Sequence, residues 1–374
     1  MQKILKNKWS KGLCGTSNDL KEVITIRIKP PQNMRVSDWA DKNRKLSPES
    51  SAESGAWNTA RAEYQRGILD CYNNPKIKRV VIMSSAQIGK TEIFNNIVGY
   101  TISINPRPVL FLQPTLEMAE TWSKDRLAPM LRDTPCLHGK VSDPRSRTGN
   151  NTIKHKEFAG GRITMAGANS PASLASRPIC KVFCDEVDRY PDSAGSEGDP
   201  VKLAEKRTTT YWDSQIWIAS TPTIKGKSRI EKAYSQSDQR KYYVPCPKCQ
   251  EYQVLMFEQV KWEKDIDDKT RESTHKPETA YYECKSCEYR LSDAERYRAV
   301  KKGYWKADIE FKDTAGFWIN ELYSPWVRLE DFVKNWLESK KDPLKLQTFI
   351  NTSLGETFED ANNKIEHDLI QSRA

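Results

Sequence analysis

The sequence has 374 residues, 37% hydrophobic and 29% charged, with 60 Lys+Arg against 50 Asp+Glu and a formal net charge of +10. That length allows two or three domains, or one large domain with an insertion, and no apolar run approaches the roughly 18 residues of a membrane span. The charged N-terminus has no apolar core behind it, which argues against a secretory leader; the basic excess admits a polyanion partner without establishing one.

Residues 1–57 are polar, with Pro30-Pro31 and the Ser-rich SPESSAESG at 47–55, and read as a basic, partly flexible arm with little core of its own. Its first 30 residues carry seven Lys/Arg against Asp19 and Glu22. Helical spacing runs from about Asn58 to Tyr72. KRVVIM (78–83) is an apolar run of strand length, followed by the loop SSAQIGKTE (84–92) and the helical TEIFNNIVGY. RPVLFLQPT (107–115) is a second strand, LEMAETWSKDRLAPML an amphipathic helix, and NTIKHKEFAGGRITMAGA a hairpin turning at Gly160-Gly161. ICKVFCDE (179–186) is a strand ending in two acids, and QIWIAS (215–220) a strand ending at Thr221-Pro222. Strands alternating with helices predict an α/β fold whose mostly parallel sheet is covered by helices on both faces. Residues 58–242 read as the core, 243–312 as an insertion, and 313–374 as a helical C-terminal part containing LEDFVKNWLESKK and PLKLQTFINTSL.

The loop at 84–92 fits a phosphate-binding pattern except at its first position, where Ser84 stands in place of Gly. A chance Gly-Lys-Thr is common, but here a strand precedes it and a helix follows. In that setting backbone N–H groups and the helix N-terminus surround phosphates. Lys90 would reach the β and γ phosphates, and the Thr91 hydroxyl would hold Mg²⁺. Asp185, at the end of the ICKVFCDE strand, is the candidate to complete the metal shell, and Glu186 the candidate to activate water. An acidic pair after a strand is usually just the start of a loop; behind a phosphate loop in a βα pattern it reads as the second ATPase motif. IASTPT (218–223) would then sense the γ-phosphate, although alone it would read as a strand-ending turn.

Cysteine supplies a second chemistry. Cys246/Cys249 and Cys284/Cys287 form two CxxC pairs separated by 34 residues, a set suited to tetrahedral Zn²⁺ held by four thiolates. The intervening KWEKDIDDKTRESTHKPE is expected to form an extended hairpin, giving a structural zinc ribbon within 243–312. A redox role for the CxxC pairs is the rival. Loss of one cysteine is expected to loosen this insertion while leaving the nucleotide site folded. His275 reads as solvated, and Cys14, Cys71, Cys136, Cys180 and Cys184 read as small apolar fillers.

From about Asn58 to Asp360 the chain resembles the ATPase portion of tailed-phage terminase large subunits of the lambda type. The resemblance rests on VVIMSSAQIGKTE, GANSPASLASRPICKVFCDEVDRYP, the CxxC pairs, GFWINELYSPW and KLQTFINTSLGETFE. It implies a P-loop NTPase of the RecA/helicase-like (ASCE) class that drives double-stranded DNA into a procapsid in the host cytoplasm. ATP and Mg²⁺ are the implied cofactors, beside structural Zn²⁺. The implied partners are a small terminase subunit, a portal and further copies in a ring, and no membrane. By position it makes Ser85, Ala86, Gln87, Ile88, Gly89, Lys90, Thr91 and Glu92 the ATP-binding loop, Glu186 the catalytic carboxylate and Ser220-Thr221-Pro222 the coupling segment. Tyr64 and Gln65 match an adenine-contacting element, with an ordinary helix face as the alternative.

The chain departs from the family at Ser84, Ala86 and Gln87, where many terminases carry a basic residue. The arginine that stabilises transition-state charge must then come from elsewhere, with Arg126, Arg162, Arg177 or a neighbouring subunit as candidates. The family also joins its motor to a two-metal nuclease. Residues 327–374 read as helices and a polar tail, with Glu359, Asp360, Glu366 and Asp368 solvated, so nuclease activity is not expected in this chain. It reads as the ATPase portion of a longer protein or as a nuclease-less relative. A helicase-like or repair ATPase, and a non-catalytic zinc-dependent DNA-binding module, are the alternatives.

Overall fold

The computed structural model describes residues 34–49, 51–141, 151–171, 177–266 and 273–359. The basic stretch at 3–29 and the acids Asp360, Glu366 and Asp368 lie outside the described residues.

Ten strands build one sheet: β1 (Arg79–Ser84), β2 (Pro108–Gln113), β3 (His155–Phe158), β4 (Gly161–Gly167), β5 (Lys181–Asp185), β6 (Gln215–Ser220), β7 (Arg240–Pro245), β8 (Tyr252–Val254), β12 (Tyr304–Lys306) and β13 (Thr314–Ile319). Between β8 and β12 in sequence, β9 (Val260–Ile266), β10 (Ser273–Glu283) and β11 (Arg290–Leu291) form a separate antiparallel sheet. The large sheet runs β8-β7-β13-β1-β6-β5-β2-β4-β3, with β12 also on β7. It is parallel from β7 through β4 and antiparallel where β8, β12 and β3 join.

The central strands are continuous apolar runs because both faces are covered. On one face Phe94 of the helix Lys90–Ser103 packs against Phe111 and Phe183, and Phe111 stacks on Trp122 with ring centroids 3.8 Å apart. On the other, Val81, Leu112, Val182, Ile218 and Trp318 form a core with Tyr190 and Ile230. A second apolar cluster joins Tyr64 and Ile88 to Tyr242, Cys246, Tyr282, Cys284, Tyr323, Phe332 and Phe349. The cysteine region and the C-terminal helices Leu329–Ser339 and Pro343–Phe349 therefore share one core with the segment behind the phosphate loop.

Three features differ from the expectations. The helix Val36–Asn43, placed by sequence in the arm, buries Val36, Trp39 and Ala40, and the Trp39 ring meets Tyr100 edge-on at 6.4 Å. Position 243 falls inside β7, and β7, β8 and β12 extend the large sheet, so among the described residues of 243–312 only β9–β11 stand apart as a small sheet. The segment after 313 is not helical throughout. Its first residues are β13, paired in parallel with β1 from Thr314–Arg79 to Ile319–Ser84.

Candidate nucleotide and metal sites

The parallel strands place the carboxyl ends of β1, β5 and β6 side by side, and the loop after β1 lies at that edge. Inside the loop the positive φ angles fall at Gln87 (56°) and Gly89 (90°). Gly89 is required twice: its φ is left-handed, and a Cβ there would collide with the Gln65 amide. Gly89 starts the helix Lys90–Ser103, and no side chain caps that end, which leaves the first-turn N–H groups to a ligand.

Ser84 ends β1 fully buried, and its Oγ donates to Ser85 O at 3.1 Å. The tight approach at this point is met by another residue, Gly355 (φ 66°), whose Cβ would lie 2.7 Å from Ser85 N and 3.0 Å from Ser84 C. The close approach to the Ser84–Ser85 peptide is thus made by a glycine distant in sequence.

Lys90 Nζ donates to Ser85 O at 3.0 Å and to Thr221 Oγ1 at 2.9 Å, and lies 3.9 Å from Glu186 Oε1. Burial depresses its pKa, opposed by the charges of Glu186 and Asp185. Thr91 Oγ1 donates to Asp185 Oδ2 at 3.3 Å, and Gln113 Nε2 donates to the same oxygen at 3.1 Å. Asp185 Oδ1 is buried without a partner. Burial and the neighbouring Glu186 charge push the Asp185 pKa up to about 6, against the pull of Lys90, Gln113 and Thr91. Glu186 adopts φ 56°, which a non-glycine residue reaches only when its surroundings enforce it. The chain next turns through Val187–Arg189, where Asp188 N donates to Ser220 Oγ at 3.2 Å and Asp188 Oδ2 accepts from Thr223 Oγ1 at 2.9 Å. The acidic strand end is thereby tied to Ser220-Thr221-Pro222, in which Ser220 and Pro222 are buried.

The remaining loop residues divide by exposure: Ser85 and Ile88 are buried, Ala86 is half-buried and Gln87 exposed. Glu92 turns away to pair with the buried Arg44 at 2.9 Å. Tyr64 and Gln65 lie fully buried beneath the loop, where Tyr64 OH (3.1 Å) and Gln65 Nε2 (2.9 Å) both donate to Ile88 O.

Arg162, the second residue of β4, lies opposite Pro108, the first residue of β2, and Arg177 precedes β5. Both sit at the amino edge of the sheet, away from the loop. Arg126 is exposed in the turn Ser123–Leu127. The guanidinium at the site is Arg189, with Nε 4.0 Å from Glu186 Oε2 and a side chain 67% exposed. Sequence reasoning passed over it, although its position three residues after Glu186 on a single turn was the available signal. Gln113, Asp188 and Arg44 were passed over as well.

The four cysteines of the CxxC pairs have their sulfurs within 4.8 Å of one another. Cys246–Cys287 and Cys249–Cys284 are each 3.8 Å apart and not disulfide-bonded. A tetrahedron with Zn–S bonds of about 2.3 Å has edges of about 3.8 Å, so the cluster fits one ion. Each pair folds the same way, with the residue after the second cysteine left-handed: Gln250 at φ 62° and Glu288 at φ 56°. The expected hairpin between the pairs is β9–β10. His275 does not join the sulfurs: its Nδ1 accepts from Trp262 Nε1 at 2.9 Å, and its Nε2 lies 3.1 Å from Lys340 Nζ.

Among known families, residues 51–305 match the description "Phage terminase large subunit gpA, ATPase domain". Residues 314–374 match "Terminase large subunit gpA, endonuclease domain", a match that begins within β13 of the large sheet. The chain is 31% identical over 370 residues to the terminase large subunit of Enterobacteria phage P21, covering 92% of this chain and 56% of that protein. It is 30% identical over 349 residues to that of Escherichia phage lambda, covering 88% and 53%. The chain thus spans about half the length of these relatives. The large terminase ATPase domain of Thermus phage P74-26 superposes with a TM-score of 0.42 at 14% identity, over 75% of this chain and 88% of that one. Among the described residues no helix is long and apolar enough to cross a membrane. With the ATPase-domain match running from residue 51, ahead of the phosphate loop, through both cysteine pairs, the chain belongs to the phage terminase large subunit gpA family.

Proposed function

We propose that the chain is the ATP-hydrolysing part of a motor that moves double-stranded DNA into a viral procapsid. The observation that carries this reading is the convergence of Lys90, Thr91, Asp185 and Glu186, with Asp185 Oδ1 buried and unpartnered beside the Thr91 hydroxyl. Two hard oxygen donors, one lacking a partner, suit Mg²⁺. Thr91 and Asp185 are its holders in this reading, and the ion when bound neutralises phosphate charge.

The chain's own residues do the rest. Lys90 and the free amides of the loop and helix start bind the phosphates. Glu186 orients the attacking water and takes its proton. Arg189, or an arginine of a neighbouring subunit in a homo-oligomeric ring, meets the charge that develops in the transition state. Tyr64 and Gln65 act from beneath by fixing the Ile88 carbonyl, and Ser220-Thr221-Pro222 couple hydrolysis to movement. One structural Zn²⁺ is assigned to Cys246, Cys249, Cys284 and Cys287. The partners in this reading are DNA, a small terminase subunit and the portal of the procapsid, in the host cytoplasm. An assay of DNA-stimulated ATP hydrolysis tests it directly. A purified protein that binds zinc and DNA but never turns over ATP would favour the non-catalytic assembly module.

A further inference from the structure

Residues 351–358 lie across the ends of three strands of the sheet. Ser85 N donates to Ile319 O at the end of β13 (3.0 Å), and the next loop amide, Ala86 N, donates to Thr352 O at 2.7 Å. Gly355 lies against the Ser84–Ser85 peptide, and its carbonyl accepts from Trp318 Nε1 at 2.9 Å. On the other side the Asn351 amide donates to Thr223 O at 2.7 Å and to Glu356 O at 2.8 Å. Phe358 N donates to the same Thr223 O (2.9 Å), and Lys225 N donates to Phe358 O (3.0 Å). The segment Ile350–Leu354 is a single turn of π-helix, a form frequent at functional positions.

We propose that Asn351 is a positioning residue that locks residues 351–358, and with them the phosphate loop, to the coupling segment, so that a shift in one is carried to the other. The inference rests on the ATPase reading above. Its physical basis is the hydrogen-bond set. One short stretch holds the loop through Ala86 and, at the other side, Thr223, the residue directly after the coupling segment. Lys90 joins the same two elements from inside through Thr221. A displacement of the coupling segment relative to the loop must either carry residues 351–358 with it or break the Asn351 and Phe358 bonds, of which the Asn351 pair is the side-chain tie that a substitution can remove. Asn351 is 7% exposed, so a bond lost there is not replaced by water.

The test compares Asn351→Ala, Asn351→Asp and Asn351→Gln in the full chain, reading ATP-analogue affinity, kcat, KM and hydrogen exchange at residues 84–91, 221–225 and 355–358. Asp keeps the size but removes the N–H donors, whereas Gln keeps the donors. The expected result is analogue affinity within about twofold of wild type for all three. In Ala and Asp kcat falls about tenfold, a barrier change of about 1.4 kcal/mol. In the same two variants the analogue still protects 84–91 but no longer 221–225 or 355–358, and Gln restores part of both effects. Nucleotide-linked protection at 221–225 that persists in Ala and Asp would overturn the proposal. So would an equal loss in all three variants together with uniform loosening of the fold. Failure of the wild-type protein to bind the analogue would instead remove the ATPase reading, and the proposal with it.

Discussion

Replacing Cys284 by Ser should weaken nucleotide binding as well as zinc binding. Cys284 is buried in the apolar cluster that also contains Ile88 and Tyr64. Tyr282 donates back to Val254 O and accepts from Met256 N, Tyr323 OH donates to Tyr242 O at 2.6 Å, and Tyr242 meets Tyr64 edge-on at 6.3 Å. Tyr64 in turn holds Ile88 O under the phosphate loop. A structural zinc contributes about 10–16 kcal/mol in small peptides, as much as the roughly 5–15 kcal/mol that keeps a typical domain folded. Its loss cannot stay confined to β9–β11. If only one aromatic contact or hydrogen bond beneath the loop is lost, about 1–2 kcal/mol disappears and ATP affinity falls roughly 5- to 30-fold. The assay is titration of a fluorescent ATP analogue into wild type, Cys284→Ser and chelator-treated protein, with metal content measured on the same samples. Unchanged affinity in zinc-free protein whose β9–β11 region has opened to exchange would refute the shared-core reasoning. Protein prepared without chelator that holds no zinc would remove the metal assignment.

Three further outcomes are expected. Lys90→Ala should abolish tight ATP binding, because a buried triphosphate loses its charge-assisted partner, whereas Glu186→Gln should retain binding and hydrolyse about 10²–10⁴-fold more slowly; near-normal turnover in Glu186→Gln would remove that residue from its role. Arg189→Ala should lower kcat by about 10²–10³-fold with little change in KM, the scale of losing one donor to developing charge, and an unaltered kcat would point to a neighbouring subunit's arginine. Trp39→Ala, at a side chain 1% exposed, should cost about 3–5 kcal/mol in denaturant unfolding, and a change below about 1 kcal/mol would return the helix Val36–Asn43 to the arm.

What could be read in advance was whatever depended on local pattern. β1, β2, β5 and β6 were legible because a strand buried on both faces is an unbroken apolar run. The convergence of Lys90 and Thr91 on the acidic strand end, and that of the four sulfurs, was legible because each set follows from a fixed local spacing. The rest depended on partners distant in sequence. Gln113 reaches Asp185 across 72 positions, Arg44 reaches Glu92 across 48, and Asn351 reaches Thr223 across 128. No periodicity records such pairs. β13 was overlooked because TAGFWI carries a mid-strand Gly and runs directly into the turn at NELY, so its strand length was not marked by the usual breakers. The close approach of Gly355 to the Ser84–Ser85 peptide is the same case, a partner far away in sequence.

The position of β13 also has a consequence for how the protein comes into being. β1 is synthesised early, yet the strand that completes one of its two sides is synthesised more than two hundred residues later. At about 5–20 residues per second the ribosome takes roughly 10–50 s to cover that distance. During that interval β1 presents an open apolar edge, the kind of surface that pairs with other nascent chains. The phosphate loop is finished in sequence long before its Ser85 and Ala86 amides have acceptors in Ile319 and Thr352. The loop's full set of backbone partners is therefore available only once Thr352 has been synthesised, after the cysteine region.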